Sequence, residues 1–161
     1  AAEISEPRSA PPAHAALALS SRGYLVPQAL AKGGAPRPGR ILAVHVAEGQ
    51  VHTTLQLAPR HFQHTGQVHA GVMVSMADHS MGMAAQTLAA EGCMVITAEL
   101  STRLLRAASG EQLICEARVL KPGRRISFTE ADVYCESAGK ARVHVARASA
   151  TMALTRQPMV S

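Results

Sequence analysis

In residues 61–88, HFQHTGQVHAGVMVSMADHSMGMAAQTL, a polar, histidine-rich segment leads into an apolar one, around which the rest of the chain is arranged. Gly66 and Gly71 permit a tight turn before the apolar part, and Gly92 is a typical residue for ending a helix. We therefore predict a largely buried helix from Gly71 to about Ala90. Its apolar and small residues recur at the spacing of one broad helix face: Val72, Met73, Met76, Ala77, Met81, Ala84, Ala85 and Leu88.

A single carboxylate interrupts this apolar helix. Asp78 lies two turns inside it, between apolar neighbours. Removing a carboxylate from water without a partner costs several kcal/mol, so a buried one is usually paired or used in chemistry. The alternative is that Asp78 lies on a solvated stripe beside Ser75 and His79. The pattern leaves both interpretations open, and they predict different surroundings for the carboxylate.

Length and composition predict one soluble globular domain. The 161 residues are 47% hydrophobic and 17% charged, and a chain of this length buries about 70% of its unfolded surface. No apolar run approaches the ~18 residues of a membrane span, so we predict no membrane partner. The formal charge of +5 favours acidic ligands, but two Phe, two Tyr and no Trp argue against a nucleic-acid surface. A small polyanionic ligand fits this composition better.

The cysteines and the amino terminus bear on the cellular compartment. Cys93, Cys115 and Cys135 are odd in number and lack CxxC spacing, which indicates reduced thiols rather than a disulfide framework. The first residues, AAEISEPRS, contain neither a basic region nor a long apolar region of the kind found in secretory signals. These features predict a cytoplasmic protein.

The chain divides by composition into three parts. Residues 1–38 hold six of the nine prolines, so we predict a poorly ordered amino-terminal segment with one short helix around Ala13 to Ser20. Residues 39–156 carry the alternating patterns of strands together with the apolar helix, and form the predicted folded domain. Residues 157–161 are predicted to be a carboxy-terminal tail.

The strand patterns of this domain define its architecture. Residues 41–47 and 51–58 form a predicted hairpin that ends at Pro59, and four extended stretches follow the helix, at 95–105, 112–121, 126–135 and 140–154. Short turns between consecutive strands indicate an antiparallel sheet, and one long helix is available to cover one of its faces. We therefore predict an α+β fold in which a curved antiparallel sheet wraps around a single central helix.

A resemblance to a known family rests on the residues before and within the helix. The run His61-x-Gln63-x-x-Gly66-x-x-His69-Ala70-Gly71, followed by Met76-Ala77-Asp78, resembles the HxNxxGxxHGG…LAD signature of hotdog-fold acyl-CoA thioesterases of the phenylacetate-pathway type. Two positions depart from that signature, because Gln63 stands where Asn is frequent and Ala70 stands where the first Gly is usual. Both changes are chemically mild, since Gln keeps an amide and Ala keeps a backbone N–H.

The resemblance implies hydrolysis of a CoA thioester, with an aryl or a short to medium-chain acyl group, to the free acid and coenzyme A. Coenzyme A is then part of the substrate, and neither a metal nor a cofactor is needed. Asp78 is the implied general base or nucleophile, and the two roles stay open. The resemblance also implies oxyanion donors in the backbone N–H groups of Ala70 and Gly71, and supporting side chains in Gln63, His69 and Thr97.

The spacing of these groups predicts an assembly. Gly71 and Asp78 are seven residues apart, which is about 10 Å along a helix and too far for both to act on one carbonyl. The base would therefore come from one subunit and the oxyanion donors from another. Together with the resemblance, this predicts an obligate homodimer that assembles further into a homotetramer.

Basic and methionine side chains are candidates for binding the substrate. Coenzyme A carries a 3′-phosphate and a pyrophosphate, which guanidinium and ammonium groups bind well. The alternative for each basic residue is ordinary solvated surface charge, and for Met73, the candidate for the acyl end, it is core packing. The basic candidates, all placed after the helix, are Arg103, Arg106, Lys121, Arg124 and Arg125.

Three other readings of the same residues compete with this one. The first is a metal site built from His61, His64 and His69 with Asp78 or His79, but the spacing HxxHxxxxH matches no common metal motif. The second is a Cys or Ser nucleophile, which lacks the GxSxG elbow. The third is a non-catalytic module that binds acyl-CoA as a sensor or partner-binding protein. The presence of the carboxylate favours catalysis over that third reading.

Overall fold

A computed structural model of the chain describes residues 39–156. The predicted amino-terminal segment, residues 1–38 with its short helix, and the predicted tail, residues 157–161, lie outside the described residues. Between residues 39 and 156, no helix is long and apolar enough to cross a membrane.

One antiparallel sheet of six strands dominates the described part of the chain. Its strands are β1 (Ile41–Ala47), β2 (Gln50–Gln56), β3 (Cys93–Leu104), β4 (Gln112–Lys121), β5 (Ile126–Glu136) and β6 (Val143–Arg156). They lie in the order β1-β2-β4-β5-β6-β3, so that β1 and β3 form the two edges of the sheet. The predicted hairpin and the four later strands are confirmed, although the last strand begins three residues later and ends two residues later than predicted.

The predicted central helix is α1 (Ala70–Gln86), and it packs against all six strands. Its start agrees with the prediction to within one residue, but the predicted end near Ala90 is wrong by four residues. The physical reason lies at Thr87, whose hydroxyl donates to the carbonyl of Ala84 and accepts from the backbone N–H of Gly49, both at 2.7 Å. The hydroxyl thus binds a carbonyl of the last helical turn and links the end of the helix to the turn between β1 and β2.

The helix buries one face in the core, as its periodicity predicts. Met76, Ala77 and Met81 are fully buried there, next to side chains from the inner face of the sheet such as Leu113 and Val133. Full burial of a methionine, leucine or valine side chain contributes about 1.5–3 kcal/mol to folding. The core therefore holds the helix against one face of the sheet and limits its rotation.

A buried polar contact fixes that rotation more sharply. The Ser80 hydroxyl donates to the carbonyl of Met76 at 2.7 Å and lies 2.7 Å from the hydroxyl of Thr53 on β2, and neither side chain is exposed. Successive helical residues are about 100° apart, so Asp78 is rotated about 200° from Ser80. The contact that turns Ser80 towards β2 therefore turns Asp78 towards the opposite edge of the sheet, where β3 lies.

Candidate active site

The carboxylate of Asp78 faces the edge strand β3. The side chain is only partly buried, and the hydroxyl of Thr97 on β3 donates to its Oδ1 at 2.7 Å. Among the described residues this is the one hydrogen bond that Asp78 makes, so Oδ2 is available to a ligand. Ser75 and His79, the residues of the alternative solvated stripe, are exposed, whereas Asp78 turns inwards to a partner. The structure thus brings together the predicted carboxylate and the predicted hydroxyl.

An irregularity in β3 lies next to Thr97. Thr97 is paired with Met152 on β6, but the next paired residue of β3 is Glu99, opposite Thr151, so that Ala98 is an extra residue in the strand. Such a bulge bends a strand and redirects the side chains beside it. The Thr97 hydroxyl also lies 3.5 Å from the thioether sulfur of Met152.

The segment before the helix is a tightly closed loop. Phe62 forms an isolated antiparallel bridge with Val68, and between them Gly66 has a φ of 78°, a conformation that favours glycine. The turn is closed by the backbone N–H of Gly66, which donates to the carbonyl of Gln63 at 2.9 Å. This loop carries the histidines and the amide of the signature up to the first turn of α1.

His61 and His69 hold this loop in place. The buried His61 accepts at Nδ1 from the backbone N–H of Ala58 at 2.9 Å, and its carbonyl accepts from the N–H of His69 at 2.8 Å. Burial, with Arg60 nearby, lowers the pKa of His61 below its ordinary value, which suits a ring nitrogen that accepts a hydrogen bond. His69 caps the helix, because its Nδ1 accepts from the N–H of Gly71 at 3.0 Å.

The cap distinguishes the two predicted oxyanion donors. The N–H of Gly71 is already bound to His69, whereas Ala70 is the first residue of the helix, where backbone N–H groups have no partner within the helix. Ala70 is therefore the better placed donor of the two. It lies eight residues before Asp78, about 12 Å along the axis at 1.5 Å per residue, so the donor and the carboxylate of one chain are far apart.

The predicted basic residues do not form one cluster. Arg103, near the end of β3, is paired with Arg147 on β6, and the guanidinium of Arg106 donates to the carbonyl of His144 at 3.3 Å. Arg125 lies at the other end of the sheet, where its carbonyl accepts from the N–H of Leu154. The positions of Arg147 and Leu154 along β6 differ by seven residues, which is about 23 Å in a strand.

The predicted basic residues thus lie at two ends of the sheet, and only the end that carries Arg125 is also the end where Asp78 lies. Thr97 is paired with Met152, two residues from Leu154, so the turn between β4 and β5 is at the same end of the sheet as Asp78. Within one chain, Arg103 and Arg106 lie towards the far end. Of the predicted basic residues, those at the near end are Lys121, Arg124 and Arg125, all of them exposed, and Arg156 at the end of β6 is exposed there too.

The remaining predicted candidates have other surroundings. Met73 is 3% exposed and packs in the core, and its assignment to substrate binding stays a prediction. Within residues 39–156, no three His, Cys, Asp or Glu side chains are grouped as metal ligands. Cys93, Cys115 and Cys135 are free thiols, as predicted.

One feature of the site was missed from the sequence. Gln86, two turns after Asp78 on the same side of the helix, binds β3 with both ends of its amide. Its Nε2 donates to the carbonyl of Cys93 at 3.0 Å, and its Oε1 accepts from the N–H of Val95 at 3.1 Å. The recurrence of polar residues at positions 78 and 86 in an apolar helix was the available signal, since residues eight apart lie on one face.

Comparison with known proteins agrees with this description. The model of the family described as Thioesterase superfamily matches residues 65–142, a range that includes most of the signature loop, the helix and β3 to β5. The human protein named acyl-coenzyme A thioesterase 13 is 29% identical over 104 residues, which are 63% of this chain and 73% of that protein.

Solved structures share the fold. A thioesterase family protein from Silicibacter pomeroyi has a TM-score of 0.69 and 28% identity, with 71% of this chain and 84% of that chain covered. A conserved protein from Pseudomonas aeruginosa has a TM-score of 0.62 and 28% identity, with 71% and 88% covered. The fold is therefore a hotdog fold, as predicted, and the matched family gives the enzyme class as thioester hydrolase. The finer resemblance to phenylacetate-pathway thioesterases stays a prediction.

Proposed function

We propose that the protein hydrolyses acyl-CoA thioesters, with an aryl or a short to medium-chain acyl group, to the free acid and coenzyme A. The observation that carries this proposal is the carboxylate of Asp78, held by the Thr97 hydroxyl at 2.7 Å and otherwise open among the described residues. Thioester hydrolysis needs a group that activates water or attacks the carbonyl, and a carboxylate can do either. The reaction needs no metal and no cofactor.

Two routes use the same carboxylate. As a general base, Asp78 takes a proton from water while the water oxygen attacks the thioester carbonyl carbon. As a nucleophile, it attacks that carbon itself, and water then hydrolyses the resulting anhydride. In both routes the C–S bond breaks and coenzyme A leaves as its thiolate, which takes up a proton. Negative charge develops on the carbonyl oxygen, and a backbone N–H at a helix start, such as that of Ala70, stabilises it.

The complete site is proposed to lie between two copies of the chain. The N–H of Ala70 and the carboxylate of Asp78 are about 12 Å apart along one helix, whereas reacting groups must lie within about 3 Å of one centre. The edge strand β3 runs beside Asp78. Beyond Cys93 and Val95, whose backbone groups Gln86 binds, its outer side has no partner strand in this chain and offers a surface for a second strand. Ile96, 48% exposed on this strand, would be covered by such pairing.

Mixing two inactive variants tests this arrangement. Asp78→Asn removes the carboxylate, and Ala70→Pro removes the proposed N–H donor at the first helical position, where proline is well tolerated. His69 before it has a φ of −62° and a ψ of 133°, a conformation compatible with a following proline. Each variant alone should be inactive, and Ala70→Ser, which keeps the N–H, should retain activity.

After the two variants are unfolded and refolded together in equal amounts, half of the dimers are mixed, and each mixed dimer has one intact site of two. Activity should therefore return to about a quarter of the wild-type value. If the mixture stays inactive although native mass spectrometry detects mixed dimers, the shared site is wrong. The higher homotetramer stays a prediction, as does the cytoplasmic location.

The charged end of coenzyme A is proposed to bind at the turn between β4 and β5, which lies at the same end of the sheet as Thr97. Arg124→Gln combined with Arg125→Gln should raise KM for acyl-CoA about tenfold or more, since each guanidinium–phosphate contact is charge-assisted. KM for an acyl thioester of N-acetylcysteamine, which lacks the nucleotide, should change little. Arg103→Gln is the matched control at the far end, and equal effects of both changes would exclude the near-end assignment.

Gln63 and His69 complete the proposal. His69 positions the first turn of the helix through its cap, and Gln63 orients water or the substrate carbonyl through its amide. His69→Asn can still accept from the N–H of Gly71 and should retain more activity than His69→Leu, which cannot. Equal activities of the two variants would argue against the role of the cap.

A further inference from the structure

The hairpin of β4 and β5 ends in an exposed stretch that is both apolar and basic. This stretch, residues 120–128 with the sequence LKPGRRISF, includes the end of β4, the turn and the start of β5, and we call it the hairpin tip. Leu120, Ile126 and Phe128 are 55%, 49% and 47% exposed. The fold thus leaves three large apolar side chains of one short segment about half uncovered.

The strand pattern explains why these side chains are exposed. On β5 the buried Ser127 lies between Ile126 and Phe128, so the two apolar residues belong to the face of the sheet that the helix does not cover. Leu120 is the extra residue of an irregularity in β4 and lies next to Lys121, which pairs with Phe128. Large apolar residues grouped on a solvated face indicate a surface that another molecule covers.

The charge of the hairpin tip is of one sign. It contains Lys121, Arg124 and Arg125 but no Asp or Glu, which gives a formal charge of +3. The three basic side chains are exposed, and within residues 39–156 they make no hydrogen bond or ion pair. Two acidic residues further along the same face have partners of their own, since Glu130 pairs with Arg118 and Glu99 accepts from a hydroxyl on β6. The basic side chains are therefore available to an anionic partner.

The backbone fixes the hairpin tip to the end of the sheet. The N–H of Gly123 donates to the hydroxyl of Ser127 at 3.2 Å, and the carbonyl of Arg125 accepts from the N–H of Leu154 at 2.9 Å. The turn is tightly closed, because a Cβ at Gly123 would collide with the carbonyl oxygen of Ile126. The hairpin tip therefore has little backbone freedom to lose when it binds a partner.

Three classes of partner can be compared for this surface. A second copy related by a two-fold axis would set the basic residues of one hairpin tip against those of the other, which like charges disfavour. A nucleic acid would bind the basic residues through its phosphates but would leave the aliphatic side chains without an apolar partner. An anionic bilayer suits both kinds of residue, because its headgroups are negative and the acyl chains below them are apolar.

We propose that the hairpin tip binds the surface of an anionic lipid bilayer, with its three apolar side chains inserted at the boundary of headgroups and acyl chains and its three basic ones among the headgroups. The prediction of no membrane partner rests on the absence of an apolar run long enough to span, and binding at the surface needs no such run. The apolar side chains have no role in the binding of coenzyme A phosphates proposed above, so they distinguish a bilayer from a free phosphate.

A single tryptophan provides the most direct test, since the chain contains none. Phe128→Trp is mixed with vesicles of phosphatidylcholine and phosphatidylserine, about 2:1, and with vesicles of phosphatidylcholine alone. Its emission should shift to the blue only with the anionic vesicles, and lipids brominated on their acyl chains should quench it. Val143→Trp is the matched control at the other end of the sheet, 42% exposed, and should show neither change.

Cosedimentation with the anionic vesicles separates the two contributions. Arg124→Gln combined with Arg125→Gln should lower the partition coefficient about 25-fold, since one basic residue near an anionic surface contributes about a factor of five. Ile126→Thr combined with Phe128→Thr keeps every charge and the strand preference of the residues, and should lower it about fivefold or more. The matched control for charge, Arg103→Gln combined with Arg106→Gln at the other end of the sheet, should change it little.

Several outcomes would overturn the inference. Wild type that does not sediment with anionic vesicles does so, as does sedimentation without a blue shift of Phe128→Trp, because the apolar side chains then stay in water. Equal binding to both kinds of vesicle excludes the role of the basic residues. A change of oligomeric state in Ile126→Thr with Phe128→Thr assigns the surface to a second copy, and binding to a DNA duplex but to no vesicle assigns it to nucleic acid. No thioester is present, so none of these outcomes bears on the proposed hydrolysis.

Discussion

Replacing Thr97 with valine should slow turnover without unfolding the protein. The change removes one hydroxyl at nearly constant size, and the new methyl group would lie against the thioether of Met152, which is already 3.5 Å from the hydroxyl. The lost bond is a donor to Asp78 at 2.7 Å. A hydrogen bond to a charged group contributes about 1.5–3 kcal/mol, and about 1.4 kcal/mol corresponds to a factor of ten. We therefore expect kcat to fall about 10- to 100-fold.

The assay for this prediction compares three proteins. Thiol release gives kcat and KM for wild type, Thr97→Val and Thr97→Ser, while circular dichroism checks that Tm stays close to that of wild type. Serine keeps the hydroxyl and should retain most of the activity, whereas valine should lose kcat with little change in KM. If valine turns over substrate as fast as wild type, or if serine is as slow as valine, the hydroxyl does not position the carboxylate.

The other predictions concern stability. Ser80→Ala leaves the buried Thr53 hydroxyl without its partner and should cost about 2 kcal/mol, whereas the double change with Thr53→Val should cost less than the sum of the single ones. Urea unfolding measures the three losses in free energy of unfolding. If the loss in the double variant equals the sum of the two single losses, the two hydroxyls do not stabilise each other. Burial raises the pKa of Cys115 from 9.0 to about 11, so the unfolded chain loses its proton first as pH rises. The contribution of this thiol to the free energy of unfolding is therefore complete below pH 9, and it should fall by about 3 kcal/mol between pH 9 and pH 11. Cys115→Ala should reduce this loss in urea titrations. The buried Cys115 should also react with iodoacetamide more slowly than the partly exposed Cys93.

The fold follows closely from the sequence. Alternation of apolar residues predicts the strands because one face of each packs inwards, and the 3.6-residue periodicity predicts the helix because its apolar face does the same. The end of the helix does not follow from such local patterns. It depends on Thr87, whose hydroxyl binds Gly49, a residue 38 positions away in the chain.

The site follows from the sequence only in part. A carboxylate in an apolar helix is visible as a pattern, and the resemblance supplies Thr97 as a supporting hydroxyl. That this hydroxyl binds Asp78, 19 residues away in the chain, is visible only in the structure. The separation of Arg103 from Arg125 could not be predicted, because it depends on the register between β3, β6 and β5.

The proposed role of Asp78 is to drive thioester hydrolysis. Its most direct test is free-thiol release from a panel of aryl-acyl, short-chain and long-chain CoA esters by wild type and by Asp78→Asn, with folding and oligomeric state measured in parallel. We predict turnover by wild type and its near-complete loss in the asparagine variant, which should still bind the substrate. Wild-type protein that binds acyl-CoA but releases no thiol would refute the catalytic role of Asp78 and favour a non-catalytic acyl-CoA sensor.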